Sequence, residues 1–400
     1  MRSLLKGKEI VLGVCGGIAA YKSVELLRLL IKDGAGVRVV MTRAATAFVA
    51  PMTFEALSAR PVMTSLFEDA GGEIRHISWA READAVVIAP ATADIIARMA
   101  HGFADDPLTT MILAVDAPVL IAPSMNPRMY QNPVTRENLR SLKGFGFHVM
   151  EPESGPVACG DEGTGRLPGP ETICEHVRRL VLPRDLAGES LLITAGPTQE
   201  PIDPVRFLSN PSSGKMGYAL ARAARRRGAD VVLISGPVSI DAPIDVGLIR
   251  VRTAQEMKEA VLSRFDSASI IIKAAAVSDY RPVNVSDHKI KKADETLALE
   301  LSRTPDILRR LGEIKGDRLL VGFAAETEDL VKNAATKLKE KNLDLIVANN
   351  VQMSDSGFGV DTNRVTLIFA DARQESLSLM SKDDLADLIL DRVKGIRGSK

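Results

Sequence analysis

Cysteine is scarce in this 400-residue chain, which has only Cys15, Cys159 and Cys174. An odd count at such wide spacing fits neither a zinc site nor a disulfide framework, and it points to a reducing compartment. Aromatic residues make up only 4%. Neither sign of charge is in excess: Lys+Arg and Asp+Glu are both 51. That balance leaves no global field to favour nucleic acid or an anionic membrane. Basic runs such as Arg225–Arg227 and "KIKK" (Lys289–Lys292) read as solvated faces. Long hydrophobic runs are missing, so no stretch reaches the length of a membrane span. The opening "MRSLLKGKEIVLGVCGG" has no signal-peptide apolar region. The expectation is a cytoplasmic protein with no membrane and no nucleic-acid partner.

What is present is enough apolar residue, 46%, for more than one core, and the length suggests two domains. In the first half, "EIVLGV" (Glu9–Val14), "GVRVVMT" (Gly36–Thr42), "ADAVVIAP" (Ala83–Pro90), "APVLIAP" (Ala117–Pro123) and "GFHVM" (Gly146–Met150) read as strands separated by helices. Such β-branched runs predict a parallel sheet covered on both faces. Residues 151–169 are rich in Gly and Pro without strand or helix period, and read as a long ordered loop or flap. A helix from Pro170 closes this half, and "PRDLAGES" reads as a linker.

The second half starts over. "SLLITAG" (Ser190–Gly196), "DVVLISG" (Asp230–Gly236), "SIIIKAAA" (Ser269–Ala276), "LLVGFAA" (Leu319–Ala325) and "LDLIVAN" (Leu343–Asn349) are its strands. "RVTLIFA" (Arg364–Ala370) reads as an added edge strand. The expected fold is α/β, two doubly wound Rossmann-like domains over 1–189 and 190–400, with ligands beyond the carboxyl ends of the strands.

Neither half carries an ordinary dinucleotide fingerprint. Gly13-x-Cys15-Gly16-Gly17 lacks the middle glycine, and the second strand ends "MTR" without an acid for a ribose. Thr42 and the helix start after Gly17 suit a single phosphate, as in a mononucleotide. "SSGKMG" (Ser212–Gly217) imitates a P-loop but has Ser209 where the first glycine belongs, and Met216 where a magnesium-ligating hydroxyl belongs.

Five stretches of the first half occur in a telling order. They are "VCGGIAAYK" (Val14–Lys22), "IRHISWA" around His76, "APATADIIARMAHGFADD" (Ala89–Asp106), "PSMNPRMY" (Pro123–Tyr130) and "ACGDEGTGR" (Ala158–Arg166). Together they resemble the flavin-containing cysteine decarboxylases. "TAGPTQEPIDPVRFLSNPSSGKMG" (Thr194–Gly217), "KAAAVSDYRP" (Lys273–Pro282) and "KIKK" resemble the phosphopantothenate–cysteine ligases. One chain with both is similar to the bifunctional coenzyme A biosynthesis enzymes of bacteria.

The resemblance implies two reactions. The C-terminal half would join 4′-phosphopantothenate to L-cysteine with CTP, through an acyl-cytidylate. The N-terminal half would decarboxylate the product to 4′-phosphopantetheine with FMN. A flavin decarboxylase of another cysteinyl substrate, fused to a nucleotide-binding domain, is the alternative.

By the same resemblance Asn126 hydrogen-bonds the substrate's cysteine carboxylate, His76 is the base near the reacting thiol and carboxylate, and Cys159 is the acid in the flap. The local alternative for Asn126 is an Asx turn before Pro127. Ser124 stands where the family commonly has Ala, and Asp94 where it often has Asn. Gly16, Gly17, Thr42, Ala91, Thr92 and Asp94 would border FMN. Asn210 would handle the acyl-cytidylate, and Lys289 would assist its formation. Lys273, Ala274, Ala275, Asp279, Pro305, Asp306, Ile307, Leu308, Phe323, Lys337 and Lys341 would hold CTP, with Asp279 toward Mg²⁺. As a bare pattern, the four-residue spacing of Lys337 and Lys341 places both on one helix face, where a solvated pair is the plain reading. Trimers of the first half and dimers of the second would close a homo-oligomer, a dodecamer by symmetry. Cys15 and Cys174 read as packing residues.

Overall fold

Valine, isoleucine and alanine fill the short runs that become the strands of the first sheet. In the computed structural model these are β1 (Glu9–Val14), β2 (Gly36–Met41), β3 (Val62–Met63), β4 (Ala85–Ala91), β5 (Val119–Pro123) and β6 (His148–Val149). They pair in the order β3-β2-β1-β4-β5-β6, every pair parallel. The structure describes residues 3–67, 74–156, 160–291, 297–326, 329–350, 357 and 359–398. The chain divides into two units, Arg2–Pro183 and Arg184–Lys400.

Two cores flank the first sheet. Ile10, Leu12 and Val14 of β1 join one with Leu26, Leu27 and Leu30 of the helix Ala20–Lys32 and Val177 of the helix Pro170–Val181. Val11 of β1 and Ile88 of β4 join the other with Ile95, Ile96 and Met99 of the helix Ala93–Ala100. Alternate residues of a strand point to opposite faces, so a sheet covered twice needs apolar residues at nearly every position. β4 is buried at all of them. Each such fully buried Leu or Ile contributes about 1.5–3 kcal/mol. Strand order reverses beside β1, which leaves a crevice at the carboxyl ends of β1 and β4.

The stretch expected to be an irregular flap is partly regular. β7 (Glu153–Pro156) and β8 (Glu162–Arg166) form an antiparallel hairpin. Its tip, with Cys159, lies outside the described residues.

The second unit repeats the principle with a longer sheet. Its strands are β9 (Ser190–Ala195), β10 (Asp230–Ser235), β11 (Gly247–Arg250), β12 (Ile270–Lys273), β13 (Leu319–Glu326), β14 (Leu345–Asn350), β15 (Val365–Phe369) and β16 (Gln374–Ser376). Their order is β11-β10-β9-β12-β13-β14-β15-β16. The pairs from β11 to β14 are parallel, and β15 and β16 are antiparallel additions. The run read as an edge strand, β15, is therefore interior. It is covered by β16, whose exposed "QES" gives no apolar signal. Order reverses at β9, so the second crevice opens beyond β9 and β12.

Candidate functional site

The turns that follow β1, β2, β4 and β5 converge on a cavity of about 1460 Å³ in the first unit. Gly16 and Gly17 follow β1, Thr42 and Arg43 follow β2, Thr92 and Asp94 follow β4, and Ser124, Met125 and Asn126 follow β5. Gly16 is dictated by the chain itself: a Cβ there would lie 2.4 Å from the Ala44 Cβ. The helix Ala20–Lys32 starts just beyond with no side-chain cap, its Ala20 and Lys22 amides donating to the carbonyls of Gly17 and Ala19. Thr42 Oγ1 is buried with no hydrogen-bond partner among the described residues. An orphan hydroxyl beside an uncapped helix start is an arrangement that a phosphate completes.

Thr92 caps the helix Ala93–Ala100, accepting from the Ile95 amide at 3.3 Å. Asp94 is paired with Arg98, which also holds Asp105. Ala91 is fully buried in β4 and does not line the cavity. His76 lies half-buried on the helix Arg75–Glu82, away from the cavity lining.

"PSMNPRMY" is where loop and flap meet. Asn126 does make the local turn: its Oδ1 accepts from the Arg128 amide at 2.8 Å, capping the short helix Pro127–Gln131. Its Nδ2 does something further and donates to Asp161 Oδ2 at 2.7 Å. The Met125 amide donates to the Gly165 carbonyl of β8 at 2.9 Å. Any side chain at Gly165 would collide, because a Cβ would sit 2.3 Å from the Met125 carbonyl oxygen. Glycines in the flap thus let its backbone lie against the loop. Tyr130 is buried and donates to Glu151, which pins the far end.

Cys15 is in the core below the cavity, and burial pushes its thiol far above the ordinary range. Cys174 is equally enclosed and is pushed up to about 11, again by burial. Neither has the depressed pKa of a reactive thiolate.

The second unit holds a cavity of about 700 Å³ beyond β9, β12, β13 and β14. Asn210, Lys273, Ala274, Ala275, Asp279, the run Pro305–Leu308, Phe323, Lys337 and Lys341 all line it. Asn210 Nδ2 donates to the carbonyls of Ala276 and Val277. Asp306 caps the helix Ile307–Ile314 through the Arg309 amide and pairs with Lys341 at 2.9 Å. Burial, and then Lys341, push Lys273 down to about 8, against the opposing pull of Asp306 and Asp279. Lys289 is exposed on a separate segment and does not line this cavity. The backbone N–H of its neighbour Ile290 donates a hydrogen bond to Asp203 Oδ2 at 3.1 Å. Among the described residues no group of three or more His, Cys, Asp or Glu side chains is set to hold a metal ion.

The cavities also contain residues that sequence reading did not single out. Arg43 and Arg166 enter the first, and Lys215 and Lys382 the second. Lys215 Nζ donates to the Gly359 carbonyl at 2.8 Å, and Lys382 Nζ to the Gly357 and Val360 carbonyls at 3.0 and 2.6 Å. The signal for Lys215 was present in "SSGKMG": it is not a P-loop, yet its Ser212–Gly217 turn does border the second cavity.

Residues 2–182 match the family described as Flavoprotein, and residues 186–396 the family described as DNA/pantothenate metabolism flavoprotein C-terminal domain. The chain is 48% identical to the coenzyme A biosynthesis bifunctional protein CoaBC of Bacillus subtilis (strain 168), over 98% of each chain. It is 46% identical to the protein of the same name from Escherichia coli (strain K12), over 97% of each. A crystal structure of the C-terminal domain of a CoaBC protein is 43% identical over 54% of this chain and 100% of that one, with a TM-score of 0.48.

Proposed function

This chain belongs to the family of bifunctional coenzyme A biosynthesis proteins, and from that premise we propose how its residues divide the work. The protein is an enzyme with two activities, a phosphopantothenoylcysteine decarboxylase and a phosphopantothenate–cysteine ligase. The observation that carries the division of labour is that each unit has its own cavity at the carboxyl ends of its own parallel strands.

In the second unit, CTP occupies the cavity. Lys273, Lys337 and Lys341 would face its phosphates, and Asp279, with the phosphates themselves, would hold a Mg²⁺ that neutralises the charge on the leaving pyrophosphate. The 4′-phosphopantothenate carboxylate attacks the α-phosphorus and pyrophosphate leaves. The cysteine amine then attacks the acyl carbon and CMP leaves, with Asn210 beside the reacting acyl group.

In the first unit, the Thr42 hydroxyl and the start of the helix Ala20–Lys32 receive the FMN phosphate, and Gly17, Thr92 and Asp94 border the rest. Bound flavin supplies a two-electron acceptor and donor for the thiol end of the substrate, so that carbon dioxide need not leave behind an unstabilised carbanion. Asn126 donates to the departing carboxylate without adding charge. His76, which lies outside the cavity lining of its own unit, would have to reach the substrate from there to act as the base, and Cys159 would return a proton to carbon. The enzyme works in the cytoplasm as a homo-oligomer. The scarcity of cysteine supports a reducing compartment. Among the described residues no helix is long and apolar enough to cross a membrane.

Purified protein given 4′-phosphopantothenate, cysteine, CTP and Mg²⁺ should yield 4′-phosphopantetheine by mass analysis. Absence of both product and acyl intermediate would refute the reading. Lys289 lies outside the cavity lining, so Lys289→Gln tests whether its segment reaches the nucleotide: if it supplies charge to the transition state, pyrophosphate release should fall at least ~10²-fold. Decarboxylation of supplied phosphopantothenoylcysteine should stay at the wild-type rate. Equal loss of both activities in a folded variant would contradict the assignment.

A further inference from the structure

A carboxamide is nearly symmetric in shape and opposite in chemistry at its two ends. Swapping the ends of Asn126 would present a lone pair, not a hydrogen, to a bound carboxylate. Something must fix the orientation, and the structure has a partner at each end. The Arg128 amide donates to Oδ1 at 2.8 Å. Asp161 Oδ2 accepts from Nδ2 at 2.7 Å. An ionised carboxylate is an acceptor only, so it can pair with the nitrogen end alone. An NH₂ group carries two hydrogens, so one spent on Asp161 does not exhaust its donors.

We propose that Asp161 is a positioning residue for the decarboxylation, holding the Asn126 amide nitrogen toward the substrate carboxylate from the flap side. The inference rests on the reading of Asn126 as the group that binds that carboxylate. Two further observations support it. The segment after Asp161 is tied to the same loop through the Met125–Gly165 backbone bond, so the aspartate's approach is set by main-chain geometry. Gly165 has no room for a Cβ against the Met125 carbonyl, so loop and flap strand are pressed together there. Asp161 therefore acts through Asn126 and makes flap placement and carboxylate recognition a single event. A neutral acceptor at position 161 would hold the amide in the same sense. An apolar residue would leave the nitrogen end without its partner on the flap.

The experiment uses the full-length protein with its bound flavin and supplied phosphopantothenoylcysteine. Asp161→Ala should lower kcat/KM for decarboxylation about 10–100-fold, the loss expected for one charge-assisted hydrogen bond. Flavin content and ligase activity should be unchanged. Asp161→Asn, whose side-chain oxygen can accept the same hydrogen, should stay within about threefold of wild type. Combined with Asn126→Ala, the Asp161→Ala change should cost nothing further, because a residue that acts through another is silent once that residue is gone. Unchanged kinetics for Asp161→Ala, loss of flavin from it, or losses that multiply in the double variant would each overturn the proposal. The Asn126→Ala arm tests the parent reading separately. If that variant alone decarboxylates normally, Asn126 does not bind the carboxylate, and the parent reading falls together with the role assigned to Asp161. If it is impaired while Asp161→Ala is not, only the role of Asp161 is wrong.

Discussion

Asn126→Asp should abolish decarboxylation, by about 10³-fold or more, while leaving the fold and the ligase reaction intact. The substitution changes one end of one side chain. An aspartate caps a helix as well as an asparagine does, so the bond from the Arg128 amide survives. The nitrogen end is what changes. It now donates to Asp161, and in the proposed complex it donates to the substrate. Losing a donor to a charged group costs about 1.5–3 kcal/mol. Placing a carboxylate about 4 Å from another adds roughly 4 kcal/mol of repulsion at an intermediate dielectric. The sum exceeds the ~1.4 kcal/mol per decade that sets the rate scale by a factor of three or more. The new group also faces Asp161, so two acids would share one site, and one of them should bind a proton at higher pH than usual. Activity should therefore recover partly on acidification. The checks are carbon dioxide release from supplied substrate between pH 5 and 8, with pyrophosphate release as the internal control. Near-normal decarboxylation at pH 7.5 would show that the amide does not meet the carboxylate.

Nucleotide binding should weaken as the solution becomes alkaline, and Lys273 should be the cause. Its ammonium titrates near 8, well below an ordinary lysine, because burial and then Lys341 disfavour its charge. A bound triphosphate favours that charge and raises the pKa, so binding takes up a proton in the interval between the two values. The sign follows. Affinity is fully present below pH 8 and is lost as pH rises above it. From pH 7 to pH 9 the free lysine goes from nearly all protonated to nearly all neutral, which predicts an approximately tenfold rise in the Kd for CTP. Lys273→Arg should flatten the profile, since a guanidinium does not titrate in this range. Lys273→Met should be weak and flat. Calorimetric titration at three pH values decides. A wild-type profile that Lys273→Arg does not flatten would place the titrating group elsewhere.

Both units were legible as parallel α/β sheets because burial on two faces writes itself into sequence as unbroken runs such as "AVVIAPA" of β4. The strands that escaped notice are too short to show a run, as β3 is although both its residues are buried, or are exposed. β3 is two residues long, and β11 ("GLIR") is exposed at both ends. β8 reads "EGTGR", and its glycines are there for close approach to the Met125 loop, a reason invisible to any periodicity. The cavity residues were readable where they follow strands directly, as Gly17, Thr42, Thr92 and Asn126 do. Sequence order carries no distance, however. His76 and Lys289 sit in motifs beside the others and yet outside either cavity lining. Lys215 and Lys382 are tied to the same short segment, Gly357–Asp361, from positions far apart in the chain.

The boundary between the units also has a meaning in time. Every strand of the first sheet lies between Glu9 and Val149, and the unit is closed by Pro183. A ribosome adds about 5–20 residues per second, so the first unit is complete about 10–40 s before the last residue of the second is joined. Parallel sheets are slow to assemble because their pairings are distant in sequence, and this interval is long on that scale. Among the described residues, each strand of the nascent first sheet pairs with strands of the same unit, so none has to wait for a partner still being translated. Its cavity can thus form on the growing chain, ready to take up a flavin, before the ligase half exists.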